Sequence, residues 1–488
     1  MRIEALYDIY QRHPSVVTDT RLLKEGDLFF ALKGPSYNGN AFAIQALEAG
    51  AAYAVIDEAP TDYGASHSNG STFDAISSLT DRLILVPDVL KTLQDLALYH
   101  RRQFNIPFIA ITGSNGKTTT KELVHAVLSS TYLTYTTKGN LNNHIGIPLT
   151  ILSVRPDAEF AVIEMGANHQ KEIEGYCRYT LPTHGIITNI GKAHLEGFGG
   201  PEGVKKGKGE LYDWLRDNGG TVFVLNDSAD LRQMSRGIAH VITYGTQDAD
   251  FTGVVRHAPD GATAARGSGQ GATPGGATGA ASDTLLNVSI TQGAVAGTIH
   301  TQLVGDYNLP NVLVAVTVGK HFGVQDSRIY KAIEQYTPSN SRSQLIERDG
   351  NHIILDAYNA NPSSMRAAIE NFARIPVAGG NSSGGNSSGG NSSGGNSGGF
   401  DRKILILGAM AELGPESLNE HRGIVSLISR HPWREVVLVG GDFQKIDHPY
   451  RRFGDSKEAG HWLSSAGFKN VYMLIKGSRS SKMELVLG

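Results

Sequence analysis

The chain has 488 residues, 44 basic and 47 acidic, with a net charge of −3. That length exceeds what one hydrophobic core usually serves, and the near balance of charge argues against a general nucleic-acid or membrane-surface binder. A single cysteine, Cys177, excludes an internal disulfide; Arg2, Glu4, Asp8 and Arg12 stand where a signal peptide needs an apolar run; and no apolar stretch approaches a membrane span, so a cytoplasmic, three-domain protein is expected.

In chain order, the strand-like runs GDLFFALKG and AAYAVID, separated by a helical stretch over residues 42–49, predict a small α/β domain over residues 1–96, with residues 64–71 as a loop. Residues 97–336 alternate continuous apolar runs (FIAIT, FAVIEMG, GIITNIG, TVFVLN, HVITYG) with helical patterns, the first of these over residues 117–128. Continuous rather than alternating apolar strands indicate a mostly parallel sheet covered by helices. Residues 337–488 repeat the rhythm in HIILDAYNANP, RKILILGAM, EVVLVGG and VYMLIKGSR, which predicts a smaller, Rossmann-like α/β domain. Two segments lack the apolar residues to pack, residues 258–282 and the NSSGG repeat over residues 381–399, and both read as surface insertions.

The most informative string is PFIAITGSNGKTTTKE, residues 107–122. A strand feeding a glycine turn at a helix N-terminus presents free backbone N–H groups and the positive end of the helix dipole, which suits a polyphosphate. The usual phosphate loop places a glycine where Ile111 stands, so this is a shortened variant running from Gly113 through Ser114, Asn115, Gly116 and Lys117 to Thr118 and Thr119. Lys117 is suited to neutralise β- and γ-phosphate charge, and the Thr118 hydroxyl to ligate Mg²⁺.

Ligands of an open parallel sheet sit beyond the carboxyl ends of its strands, so polar residues that follow apolar runs are the next to collect. Glu164 ends one such run and is either a hard-cation ligand or a solvated strand-end carboxylate. His194 in NIGKAHLEGFG and Lys208 in GVKKGKGEL are bland singly, but glycines flank both and permit close approach to a ligand. Asn140, Asn142, Asn143 and His144 form a neutral polar cluster fit to bind sugar, peptide or pyrophosphate, or to make a hydrogen-bonded turn. Asp356 in DAYNANP could contact a ribose or simply open a turn.

Together these strings resemble the Mur ligases, the ATP-dependent amide-forming enzymes of bacterial cell-wall synthesis. The matching stretches run in order from DTRLLKEGDLFFALKG through ITGSNGKTTTKE, NLNNHIGIPLT, EMGA, NIGKAHLEGFG, GKGEL, DAYNANPSS and LGAMAELG to KGSRSSKME. The likeness is strongest to the branch that adds D-alanyl-D-alanine to UDP-N-acetylmuramoyl tripeptide, and it implies catalysis through an acyl phosphate in peptidoglycan precursor synthesis. A different amino-acid adder of the superfamily or a folylpolyglutamate synthetase is the nearer alternative, an inactive nucleotide-binding scaffold the more distant one.

The resemblance implies that residues 113–119 bind ATP, with Lys117 and Thr118 at the β- and γ-phosphates. It further implies Thr118 and Glu164 on magnesium, His194 on a second Mg²⁺, and Lys208 as a carbamylated lysine acting as an anionic ligand. Asn308 and Asn311 match a stretch near adenine, Asp356 and Asn359 the C-terminal share of the nucleotide pocket, and Arg342 a γ-phosphate contact. Thr20, Arg21 and Lys33 match the part that holds the UDP end, with Asn140, Asn142 and Asn143 as further substrate contacts. Ser341 replaces the glycine common before Arg342, and Ala409 stands where many relatives carry aspartate. A monomer is expected.

Overall fold

The computed structural model describes residues 1–59, 79–256, 284–338, 341–377 and 399–488. The expected loop at 64–71, the insertion at 258–282 and all but the last residue of the repeat at 381–399 lie outside them.

The core of the middle unit is a nine-stranded sheet, ordered in space Gly297–Val304, Leu285–Gln292, Phe251–Val255, His240–Gly245, Thr221–Leu225, His184–Ile187, Phe108–Thr112, Phe160–Glu164, Thr134–Thr136. The seven strands from Phe251–Val255 to Thr134–Thr136 are parallel, and the two at the other edge attach antiparallel. FIAIT forms the strand Phe108–Thr112 and is buried at every position, as a strand covered on both faces must be. Helices Lys117–Ser129 and Leu309–His321 pack together over one face, and Pro201–Asp217 lies against the strands on the other. The parallel part agrees with the sequence expectation. Unanticipated were the short edge strand Thr134–Thr136 and the antiparallel extension, whose strand Leu285–Gln292 alternates between half-buried and buried side chains as a one-sided sheet does.

After Phe108–Thr112 the chain builds the strands on one side of it and then crosses to His184–Ile187 on the other. The two neighbours therefore diverge beyond its carboxyl end, which is where open α/β sheets bind ligands. The registers set Ile111 beside Glu164 and Thr112 beside Ile187, so Glu164 and Thr188 flank the turn that follows.

The C-terminal unit has a six-stranded sheet, ordered Gln344–Arg348, Asn351–Asp356, Tyr472–Lys476, Lys403–Gly408, Glu435–Val439, Arg451–Phe453, parallel except for its first pair. Its register places Asp356 directly beside Lys476. The N-terminal unit carries a four-stranded parallel sheet, Val16–Val17, Leu28–Phe30, Tyr53–Ile56 and Leu83–Leu85, and a two-stranded ribbon, Lys33–Gly34 with Tyr37–Asn38. Helix Val89–Arg101 joins it to the middle unit. Buried Arg101 donates to the Thr180, Phe104 and Leu181 carbonyls at 2.8, 2.9 and 3.0 Å, with its guanidinium 3.8 Å from the Phe108 ring centroid. Each guanidinium edge thus meets an acceptor, which is what a buried cation needs.

Candidate active site

Two glycines shape the turn after Phe108–Thr112. Gly113 has φ +138°, and a Cβ there would stand 2.0 Å from the Thr188 hydroxyl; Gly116 has φ +79°, and its Cβ would meet the Asn311 side chain at 2.8 Å. Both positions exclude a larger residue by backbone and by contact. The loop between them is fastened to the segment that follows His184–Ile187. Ser114 N–H donates to the Asn189 carbonyl and Asn115 N–H to Asn189 Oδ1, each at 3.0 Å. The Asn115 carbonyl accepts from Thr188 Oγ1 at 2.6 Å and from Asn189 Nδ2 at 3.0 Å. Helix Lys117–Ser129 begins at once, so the loop stands at its N-terminus.

Lys117 is half-buried, and its ammonium donates back to the Gly113 and Ser114 carbonyls at 2.8 and 3.3 Å. Burial lowers its pKa; the Glu164 charge opposes this, and the Arg342 charge adds to it. Thr118 Oγ1 donates to Glu164 Oε1 at 3.1 Å, and Asn142 Nδ2 donates to the same oxygen at 2.8 Å. Asn142 reaches it past Gly166, where a Cβ would approach the Asn142 amide at 2.9 Å. Glu164 Oε2 is buried with no hydrogen-bond partner among the described residues. A carboxylate with one oxygen held by two donors and the other bare, beside a phosphate loop, has the chemistry of a cation ligand.

The surrounding cavity, about 690 Å³, is walled by the middle and C-terminal units together. Its lining includes the expected Ser114, Asn115, Gly116, Lys117, Thr118, Thr119, Asn140, Asn142, Asn143, Glu164, His194, Asn308, Asn311, Arg342, Asp356 and Asn359. Several of these also have structural tasks. Asn143 Oδ1 accepts from the Ile145 and Gly146 N–H groups at the start of helix Gly146–Ser153, the turn-forming alternative its composition left open. Asn311 accepts from Thr120 Oγ1 at 3.0 Å and donates to Asn308 Oδ1 at 2.8 Å, tying the helix Leu309–His321 to the phosphate-loop helix. Asp356 accepts from Lys476 at 2.5 Å. The Arg342 guanidinium lies 3.5 Å from the Tyr358 ring centroid.

His194, in the left-handed region at φ +53°, meets the Glu412 carboxylate of the C-terminal unit through Nδ1. Lys208 is fully buried; its amine donates to the Ala167 carbonyl at 3.0 Å and lies 4.9 Å from the Phe198 ring centroid. Burial holds its pKa well below the ordinary lysine value; the Lys117 charge adds to this, and Glu172 and Glu210 oppose it. Lys208 is not on the cavity wall, although Ala167 and Glu172 are.

Thr20, Arg21 and Lys33 belong to the N-terminal unit and do not line this cavity. Arg21 pairs with Asp19 at 2.6 Å, and Lys33 with Asp57 and Glu58 at 3.1 and 2.9 Å. Sequence reasoning missed Asn189, Tyr358, Asn361, Ser363 and Lys476, all cavity-lining. Lys476 and Asn189 carried a usable signal, since each stands at the end of an apolar run as Asp356 does.

A doubly covered parallel sheet with a shortened phosphate loop, facing a second α/β unit across a polar cavity, has the architecture of a nucleotide-using α/β enzyme. The model of the Mur ligase middle domain matches residues 111–319, and that described as the Mur ligase family, catalytic domain, matches residues 14–101. The UDP-N-acetylmuramoyl-tripeptide–D-alanyl-D-alanine ligase of Escherichia coli is 31% identical, over 97% of this chain and 92% of its own. Among solved structures, MurF from Acinetobacter baumannii aligns with a TM-score of 0.75 at 26% identity, over 98% of this chain and 96% of that one. The MurF ligase of Thermotoga maritima in complex with ADP shares the fold at a TM-score of 0.76 and 23% identity, over 98% and 97%. The chain belongs to the Mur ligase family of ATP-dependent ligases. Within it, the Escherichia coli D-alanyl-D-alanine-adding ligase and the MurF of Acinetobacter baumannii are both matched along nearly their whole length.

Proposed function

We propose that this chain joins D-alanyl-D-alanine to the peptide carboxylate of UDP-N-acetylmuramoyl tripeptide at the expense of ATP, in peptidoglycan precursor synthesis. The observation that carries the reading is the Glu164 carboxylate, oriented by Thr118 and Asn142 and bare at Oε2, at the mouth of a phosphate loop. The likeness to the Escherichia coli ligase over almost the whole chain supports the choice of substrates.

A carboxylate in water is a poor electrophile, and phosphorylation by ATP makes it reactive. The tripeptide carboxylate attacks the γ-phosphate, ADP leaves, and the dipeptide amine displaces phosphate from the acyl phosphate. The chain's part is positioning and charge. Loop N–H groups and the helix N-terminus receive the phosphates, and Lys117 exchanges its loop carbonyls for phosphate oxygens. The wall from the C-terminal unit keeps water from the acyl phosphate.

Two magnesium ions belong to this proposal, and bound there they would neutralise charge on the transferring phosphoryl group. The donor set fits: Thr118 and Glu164 would hold one, with phosphate and water supplying the rest, and His194 would face the other. Among the described residues no three His, Cys, Asp or Glu side chains cluster as a self-sufficient metal site, which suits a cation that arrives with its nucleotide. Lys208 is proposed to work as its carbamate. A buried amine held toward its neutral form is the nucleophile that CO₂ addition needs.

We assign residues 1–96 to the UDP end, with Thr20, Arg21 and Lys33 as contacts, residues 97–336 to ATP, with Asn308 and Asn311 near the base, and residues 337–488 to closure over it through Arg342, Asp356 and Asn359. Asn140, Asn142 and Asn143 are proposed to face the peptide substrate. A cytoplasmic monomer completes the reading; among the described residues no helix is long and apolar enough to cross a membrane. The decisive experiment offers the protein ATP, UDP-N-acetylmuramoyl tripeptide and either D-alanyl-D-alanine or single amino acids, and weighs the product. Preference for a lone amino acid would overturn the assignment.

A further inference from the structure

Helix Pro362–Arg374 of the C-terminal unit starts at Asn361, whose side chain does two things at once. Its Oδ1 accepts from Ser364 N–H at 3.0 Å while Ser364 Oγ accepts from Asn361 N–H at 3.1 Å, a reciprocal cap. Its Nδ2 donates across the domain boundary to Asn115 Oδ1 at 2.7 Å, inside the phosphate loop. Asn361 is buried.

Capping does not explain the choice of residue. Asparagine, aspartate and serine cap helices about equally well, but aspartate has no donor and serine's one O–H sits on the capping oxygen itself, so only asparagine carries a donor on a separate atom that reaches beyond the cap. A second contact lies alongside: Lys192 N–H donates to Ser363 Oγ at 3.0 Å. Lys192 follows the segment Thr188–Gly191 that fastens Ser114 and Asn115, and Gly191 admits Ser363 because a Cβ there would lie 3.1 Å from its hydroxyl. The start of this helix is thus seated on the phosphate loop and on the strand end that braces it.

We propose that Asn361 is a positioning residue for ATP: by gripping Asn115 it fixes the phosphate loop in its receptive shape only while the C-terminal unit is seated, so that nucleotide affinity and domain seating reinforce one another. By reciprocity, bound nucleotide strengthens the seating in equal measure. The inference rests on the ATP-dependent reading above, but it concerns nucleotide grip and not the identity of the acceptor.

The test separates the two tasks of Asn361. Asn361→Ser keeps a capping oxygen but cannot reach Asn115, and Asn361→Thr repeats the change as a guard against a folding defect peculiar to serine. In both, melting temperature and kcat should hold near wild type, while the ATP KM and the ADP Kd measured by calorimetry on the full-length protein rise roughly five- to tenfold, the scale of one lost buried hydrogen bond. Asn115→Ala should weaken ADP to a similar degree, and Asn361→Ser in that background should weaken it no further. Wild-type ADP affinity in both cap variants, additive losses in the double variant, or affinity falling only in step with melting temperature would each overturn the proposal. Failure of the acceptor assignment would show separately, as wild-type protein that binds ADP but does not ligate D-alanyl-D-alanine.

Discussion

The nucleotide cavity and the charged cluster of the N-terminal unit are both expected to hold phosphate-bearing ligands, yet they rest in opposite states. In the N-terminal cluster Lys33 meets Asp57 and Glu58, Asn38 donates to Glu58 at 2.7 Å, and Asn40 donates to Asp57 at 2.8 Å. In the cavity Glu164 Oε2 is buried and bare, and Lys117 is turned back on carbonyls of its own loop. Lys33 and Glu58 are exposed, and exposed ion pairs are worth little and exchange partners cheaply, while the more buried Asp57 keeps a donor in Asn40; the N-terminal cluster can therefore be complete without its ligand. A buried carboxylate oxygen without a protein donor calls for a partner from outside the chain, a cation or a water. In the cavity one buried carboxylate oxygen lacks a protein donor, whereas in the N-terminal cluster both carboxylates have one.

That contrast orders the expected effects of substitution. Lys117→Ala should lower kcat by about 10³-fold or more, the scale of removing a group that stabilises transition-state charge, read as phosphate release. Near-normal turnover would remove this loop from its assigned role. Glu164→Gln should cost about 10²-fold in turnover and raise the magnesium needed, with little change in melting temperature, because the amide still receives its two donors at one oxygen and no longer buries a bare anion. Lys208→Met should lower ligation by about 10- to 100-fold yet raise the melting temperature, since an apolar side chain of similar volume replaces a buried amine with one protein acceptor. A variant that lost stability as well would recast Lys208 as a structural residue. The smallest effect belongs to the N-terminal cluster: Lys33→Ala should raise the KM for the UDP-linked substrate roughly fivefold, leaving ATP KM and melting temperature unchanged, since Lys33 and Glu58 are exposed and Asp57 keeps its Asn40 donor.

What could be read from the chain beforehand divides along the same physical line. Strands buried on both faces announce themselves as apolar runs, and all five expected in the middle unit are present. The strand Thr134–Thr136 could not be seen because its half-buried TYT carries no apolar run, and Val16–Val17 because it is only two residues long. The phosphate loop was legible because glycine spacing encodes backbone shape. The grip of Asn142 on Glu164 was not, since it depends on Gly166 leaving room between segments distant in sequence. The double task of Asn361 was hidden for a similar reason: a capping asparagine looks the same in sequence whether or not its amide reaches another domain.

The bare oxygen of Glu164 also bears on inhibition. Nucleotide mimics directed at phosphate loops usually have to carry negative charge, which hinders passage through membranes. In this cavity a neutral or cationic compound offering an N–H to Glu164 Oε2 would satisfy a buried acceptor that the fold leaves open. Because the surrounding wall comes from two units, a compound long enough to touch both Asn115 and Tyr358 would also brace one unit against the other.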